Sequence, residues 1–177
     1  RGFLRARPEA IDDVEATRDN SRFMGSATIN FNPTEWFTHR LVLGLDVAHE
    51  ENRVLFPRHP EGTAHDFGGL SLGNLEVDRP YTTFNTLDYA TSVEYGLGQD
   101  IGLTTSVGIQ YYSKRFETVS STGRIFPAPP ITSLKGASVV TSSEEILENK
   151  TLGSYIQQEM SYQDKIFLTA AVRGDDN

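Results

Sequence analysis

Phe37-Thr38-His39-Arg40-Leu41-Val42-Leu43-Gly44-Leu45-Asp46-Val47-Ala48 alternates in character along its length. Phe37, Leu41, Leu43, Leu45 and Val47 share one parity, and Thr38, Arg40, Val42, Gly44, Asp46 and Ala48 share the other. A helix would set Asp46 on one stripe with Val42 and scatter the leucines around its axis. A strand gathers the leucines on one face. The segment therefore reads as a strand that continues to about Asn52.

The same period recurs on both sides of it. Upstream, Phe23, Gly25, Ala27, Ile29 and Phe31 alternate with Arg22, Met24, Ser26, Thr28 and Asn30. Asn32-Pro33-Thr34-Glu35 reads as the connecting turn, because proline fixes its own φ and drives the residue before it out of the helical region. Downstream, Leu87, Tyr89, Val93, Tyr95 and Leu97 oppose Thr86, Asp88, Ser92, Glu94 and Gly96. Ile101, Leu103, Thr105, Val107, Ile109 and Tyr111 oppose Gly102, Thr104, Ser106, Gly108, Gln110 and Tyr112. Two further stretches, from Leu152 to Met160 and from Ile166 to Arg173, alternate in the same way.

Short turns are expected at Asn32–Trp36, Leu97–Asp100 and Tyr162–Lys165, with long polar connections between the hairpins. The organisation reads as a loop at 1–20, a hairpin at 21–52, a long loop at 53–79, a hairpin at 80–118, a long loop at 119–149 and a hairpin at 150–174. Within the second long loop, the spacing of Ser142 and Glu145 fits a capping box and predicts a helical turn or two. The fold class is all-β: an antiparallel up-and-down meander of about six strands, with short turns on one side and long loops on the other. That asymmetry is the pattern of a large transmembrane β-barrel with short periplasmic turns and long extracellular loops.

Composition narrows the partners. A formal net charge of -8 over 177 residues argues against a nucleic-acid partner, which selects a basic face. No run approaches the length of apolar sequence that a transmembrane helix needs, while a β-strand needs only every second residue to face lipid. The absence of cysteine removes disulfides and thiolate metal sites. The chain begins at Arg1 and stops just after a strand, so it is expected to be part of something longer.

The two faces separate a membrane sheet from a soluble one. A sandwich typically shows Lys and Glu on its outer face, but here the second face is Thr, Ser, Gly and Gln with scattered charges. Aromatic residues gather near the short turns (Phe31, Trp36, Phe37, Tyr95, Tyr162), as an interfacial girdle requires. Leu41, Leu43, Leu45, Val47, Ile101, Leu103, Val107 and Ile109 are expected to face lipid. The alternatives are a soluble β-sandwich or small-barrel carbohydrate-binding module, and a passive porin.

At Gly153-Ser154-Tyr155-Ile156-Gln157-Gln158-Glu159, the turn Tyr162-Gln163-Asp164-Lys165 and the strand Ile166–Arg173, the chain resembles a recurrent barrel hairpin of TonB-dependent outer-membrane transporters. The likeness is to the SusC/RagA-like group, whose corresponding strand ends Arg-x-Asp-x-Ser; Arg173-Gly174-Asp175 fits that ending. Ile29-Asn30-Phe31-Asn32-Pro33 and Gly44-Leu45-Asp46 are similar to the same group's mid-barrel. The resemblance implies a barrel of about 22 strands in the Gram-negative outer membrane. It also implies import of a bulky solute (an oligosaccharide, peptide or metal chelate). The implied partners are outer-membrane lipid, a plug domain, the TonB energy-coupling complex and a surface lipoprotein. Neither the plug nor the TonB box is recognisable in this sequence.

Candidate chemistry is sparse. Lumen-facing Arg40, Asp46, Asp88, Glu94 and Arg173 are the residues expected to line a solute path or to pair with one another, since an unpaired charge in a crowded lumen costs free energy. His59 and His65-Asp66 share one loop but match no metal-ligand spacing, so no metal is expected. Gly96-Leu97-Gly98 is followed by Gly102 one position too late for a dinucleotide loop and reads as a turn. No cofactor is expected, and with no Ser-His-Asp arrangement or paired carboxylates, neither is catalysis.

Overall fold

A computed structural model of the protein describes residues 12–58 and 70–177. The described strands are β1 (Glu15–Thr34), β2 (Phe37–Phe56), β3 (Asn74–Leu97), β4 (Ile101–Arg124), β5 (Val139–Tyr162) and β6 (Ile166–Asp176). They form one antiparallel meander in the order β1-β2-β3-β4-β5-β6, as the alternation predicts. Among the described residues the outermost strands, β1 and β6, each lack a neighbour on one side. Between β5 and β6 the register runs without a break from Tyr162↔Ile166 to Leu152↔Asp176.

The strands are longer than the sequence pattern indicates. β1 begins at Glu15, inside the expected loop 1–20, and β2 runs past Asn52 to Phe56. β3 starts at Asn74, within the expected loop 53–79. β4 and β5 close on the second long loop from both sides, leaving 125–138 between them. The helical turn expected at Ser142–Leu147 is replaced by strand. Ser142 is hydrogen-bonded across to Ser121 at 3.0 Å, because β4 supplies a backbone ladder that outweighs the local capping preference. The helical turn of this loop lies instead at Leu134–Gly136.

The turns are tighter than expected. Glu35 and Trp36 alone connect β1 to β2, which puts Pro33 inside edge strand β1, a place where its missing N–H is tolerated. Gly98 (φ +72°) turns β3 into β4, and Gln163 and Asp164, at φ 50° and 54°, turn β5 into β6.

Two compact units divide the chain. The first is Arg1–Arg22, Ala48–Tyr81 and Phe116–Leu147. It holds all four buried hydrophobic side chains of the described residues: Leu55, Leu75, Val77 and Phe126. Ile131, Leu134 and Ala137 pack against them, so the 125–138 connection is folded down onto its own strands. Backbone bonds hold it there: Phe126 N–H donates to Leu72 O at 2.9 Å and Ser138 N–H to Ile125 O at 2.9 Å. Arg58 donates to the carbonyl of Phe126, and Arg53 to that of Thr132 at 2.5 Å. Ile125 is held at φ 62°, a strained conformation for a β-branched residue, which these surrounding bonds impose.

The second unit is Phe23–Val47, Thr82–Arg115 and Glu148–Asn177. Its strands carry the most regular apolar alternation, yet no hydrophobic residue of this unit is buried among the described residues. Leu43 and Leu45 are 40% and 41% exposed, and Val107 and Ile109 both 46%. Leu41, Val47, Ile101 and Leu103 are half-buried beside their strand neighbours. Among the described residues no second sheet or helix covers this parity.

Phe126 is the keystone of the first unit's core, with no solvent exposure. Phe126→Ala should cost about 3–5 kcal/mol of local stability. Amide hydrogen exchange is expected to speed up across 125–138 and at the adjoining ends of β2 and β3, and unchanged protection there would refute the assignment.

Candidate functional site

The polar face of the second unit is built on glycines. A side chain from the next strand lies across Gly44, Gly102, Gly108 and Gly153: Thr86, Ser161, Tyr155, and Arg173 with Asp175, respectively. A Cβ at Gly108 would overlap the Tyr155 ring, and one at Gly153 would stand 2.7 Å from the Arg173 guanidinium. These crossings show the shared face directly, because only residues on one side of a sheet can lie over one another. Even positions of β2, β3 and β4 fall with odd positions of β5 and β6.

Two of the five expected lumen-facing residues meet in one network. Gln110 donates from Nε2 to Asp88 Oδ2 at 2.7 Å, and its Oε1 accepts from Arg173 Nη1. Arg173 also pairs with Asp175, Nη2 to Oδ1 at 2.7 Å and Nε to both carboxylate oxygens at 2.9 and 3.0 Å. The amide is oriented by charge, its N–H₂ toward the acid and its oxygen toward the cation. Asp88, Gln110, Arg173 and Asp175 thus run as a band across β3, β4 and β6, passing over Gly153 of β5.

The other three residues stand apart from it. Glu94 lines a hollow of about 600 Å³ with Glu35, Trp36, Glu159 and Phe167. Asp46, which has a polar or charged partner, borders a hollow of about 310 Å³ with Met24, Ser26 and Phe84. Arg40 lines a hollow of about 370 Å³ with Asn30, Asn32, Thr38, Tyr155 and Gln157. The amides Gln110, Asn30, Asn32 and Gln157 are the part that candidate selection by charge passed over. Their position on the polar parity was the available signal.

On the opposite parity, polar groups near the short turns are paired. His39 Nδ1 lies 2.9 Å from Tyr89 OH, with Phe31 and Phe37 packed against the imidazole. Thr105 donates to Gln158 Oε1 at 2.6 Å, and Gln158 Nε2 donates to Thr104 O at 3.2 Å. Among the described residues no cluster of His and carboxylate side chains has a metal-binding arrangement. His59, His65 and Asp66 lie outside the described residues.

Neither a protein-family model nor a curated protein sequence matches the chain. Solved structures do. The RagAB peptide transporter superposes with a TM-score of 0.85 at 11% identity, over 96% of this chain and 19% of the matched one. The fold is that of a section of RagAB. The RagAB peptide importer in its closed-closed state matches with a TM-score of 0.80 at 11% identity, over 93% of this chain and 18% of the other. Its open-open state matches with 0.80 at 12%, over 95% and 18%. The chain therefore spans about a fifth of the length of the RagAB structures it resembles. At this identity the likeness is one of backbone fold.

The glycine crossings predict an asymmetry among substitutions. Gly108→Val forces the Tyr155 ring off the face and should cost about 1–3 kcal/mol, as overpacking does, whereas Gly153→Val displaces only the flexible ends of Arg173 and Asp175 and should cost less. Arg173→Gln removes only exposed pairing and should lower the melting midpoint less than Gly108→Val does. Thermal melts of the intact protein in detergent check the order, and equal midpoints for all three variants would contradict it.

Proposed function

We propose that these six strands are part of the wall of a TonB-dependent outer-membrane transporter of the SusC/RagA-like kind, importing a bulky solute. The observation that carries this reading is the second unit. Its best-patterned strands bury no hydrophobic side chain, while its other face is mainly hydroxyls, amides and paired charges, with a few aromatic side chains among them. Monomeric soluble proteins rarely leave contiguous apolar surface of this kind open, whereas a barrel wall turns it to lipid and the polar side to its lumen. The shared fold with RagAB supports the same assignment.

Strand length fits a wall that rises beyond the bilayer. A tilted strand crosses the hydrocarbon core in about 9–11 residues, and β3, β4 and β5 have 24 each. On β2, aromatic-packed histidines recur at His39 and His49, ten positions apart by number, and His49 meets Tyr81 edge-on. The remaining strand ends and the 125–138 connection then stand outside the cell, where the Phe126 core gives the recognition surface a fixed shape.

In this reading the chain's own contribution is passive and chemical. The lumen side offers many weak polar contacts and few unpaired charges, so a hydrated solute is held firmly enough to enter and loosely enough to leave. A plug domain, the TonB complex and a surface lipoprotein would supply gating and energy from outside these strands. Peptide cargo is one candidate, by likeness to RagAB.

Sidedness tests the reading in the intact protein. An epitope inserted at Pro130 should be labelled by antibody on whole cells, and one inserted at Gln163 only after the outer membrane is permeabilised. Replacing 128–136 with a short linker, which retains Phe126, should leave the protein in the outer membrane and alter solute uptake. Labelling of both epitopes on intact cells, or recovery of the protein outside the membrane fraction, would overturn it.

A further inference from the structure

We infer that Arg40 and the amides around it form a carboxylate-binding subsite on the polar face. The two polar-face arginines of the second unit differ sharply. Arg173 is paired with Asp175 and bonded to Gln110. Arg40 has no hydrogen-bond or ion-pair partner among the described residues, and it borders a hollow of about 370 Å³ to which no carboxylate contributes. Arg40 is exposed on this face and no carboxylate of the hollow offsets its charge, so the guanidinium is free to receive an anion.

The surroundings select the kind of anion. Asn30, Asn32 and Gln157 bring side-chain amides to the hollow, and Thr38 brings a hydroxyl. Of the rest of the lining, Ala90 is apolar, His39 Nδ1 lies 2.9 Å from Tyr89 OH, Ser92 and Ser106 are bonded to each other at 2.8 Å, and the Tyr155 ring lies over Gly108. One cation among neutral donors balances a single negative charge and leaves a dianionic phosphate half neutralised. The planar fork of arginine matches the two oxygens of a carboxylate, and the amides can satisfy its remaining lone pairs. Gln157 Nε2 spends one donor on Glu159 at 2.6 Å, which orients its amide at the edge of the hollow.

Two sources can bring this group: the carboxylate of a transported solute, or an Asp or Glu side chain from a part of the same protein outside these strands. The first rests on the transport reading, and the second does not. The experiment uses the full-length protein, unmodified and as Arg40→Gln and Arg40→Lys. An octapeptide with a free C-terminus and the same peptide amidated serve as probes, alongside thermal melts without peptide. If the carboxylate comes from solute, Arg40→Gln should weaken binding of the free acid about tenfold or more, to the level of the amide, with partial recovery in Arg40→Lys. If it comes from the protein, Arg40→Gln should lower Tm by a few degrees with the acid-to-amide preference untouched, and Arg40→Lys should recover most of the loss. Arg40→Gln with unchanged preference and unchanged Tm would overturn the subsite. An unmodified protein that binds neither peptide would count against peptide as cargo, and the melts would still decide the subsite.

Discussion

The inter-strand backbone hydrogen bond satisfies each N–H and C=O within the plane of the sheet and, by fixing register, decides which parity of every strand faces which side. Between β5 and β6 it sets Tyr155 against Arg173 and Gly153 against Asp175. Arg173 can therefore reach over the bare backbone of Gly153 to Gln110. A slip of one residue would turn Arg173 toward the leucine side and bring Val172 onto the polar band. The requirement is strictest in lipid, where an unpaired backbone group has no water to fall back on. It makes the open edges of β1 and β6 telling, since both are rows of groups that need a further strand.

The two units meet the cost of order by different means. The first closes a small core of its own, Leu55, Leu75 and Val77 under Phe126, and ties its long connection down with backbone bonds and the Arg53 and Arg58 side chains. The second has no such core. Its side chains order one another across strands, with glycine beneath and a ring, guanidinium or hydroxyl above. Such a surface suits a wall whose apolar side is solvated by lipid, where rigidity comes from the ladder and not from a packed interior.

Legibility in the sequence followed the solvent. Where one parity is apolar, from Phe37 to Val47 or from Ile101 to Tyr111, the period of two gave strand, direction and face together. Where both parities are polar, as in Glu15–Asn20 or Thr141–Glu148, strand continues with no periodic signal, because the neighbouring strand supplies the reason for it. The Ser142 and Glu145 capping spacing misled for the same cause. Faces were legible for Asp88 and Arg173, but their meeting through Gln110 was not. Gln110 and Arg173 are separated by 63 positions, and only the register of three strands brings them together. The Phe126 core was hidden similarly, since Leu55, Leu75 and Phe126 come from three separate segments.

The central claim is that odd and even positions of the same strand face lipid and a watery lumen. These 177 residues contain no cysteine, so single cysteines can be introduced one at a time within them. Spin labels at Leu43, Leu45, Val107 and Ile109, and at Gly44, Asp88, Ser106 and Gln110, can be read in the membrane-inserted protein. Collision with oxygen, which partitions into lipid, and with a water-soluble nickel chelate reports each environment. The account predicts that oxygen accessibility is high in the first set and chelate accessibility in the second, alternating residue by residue. Equal accessibility on both parities, or burial of the leucine set away from both reagents, would contradict it.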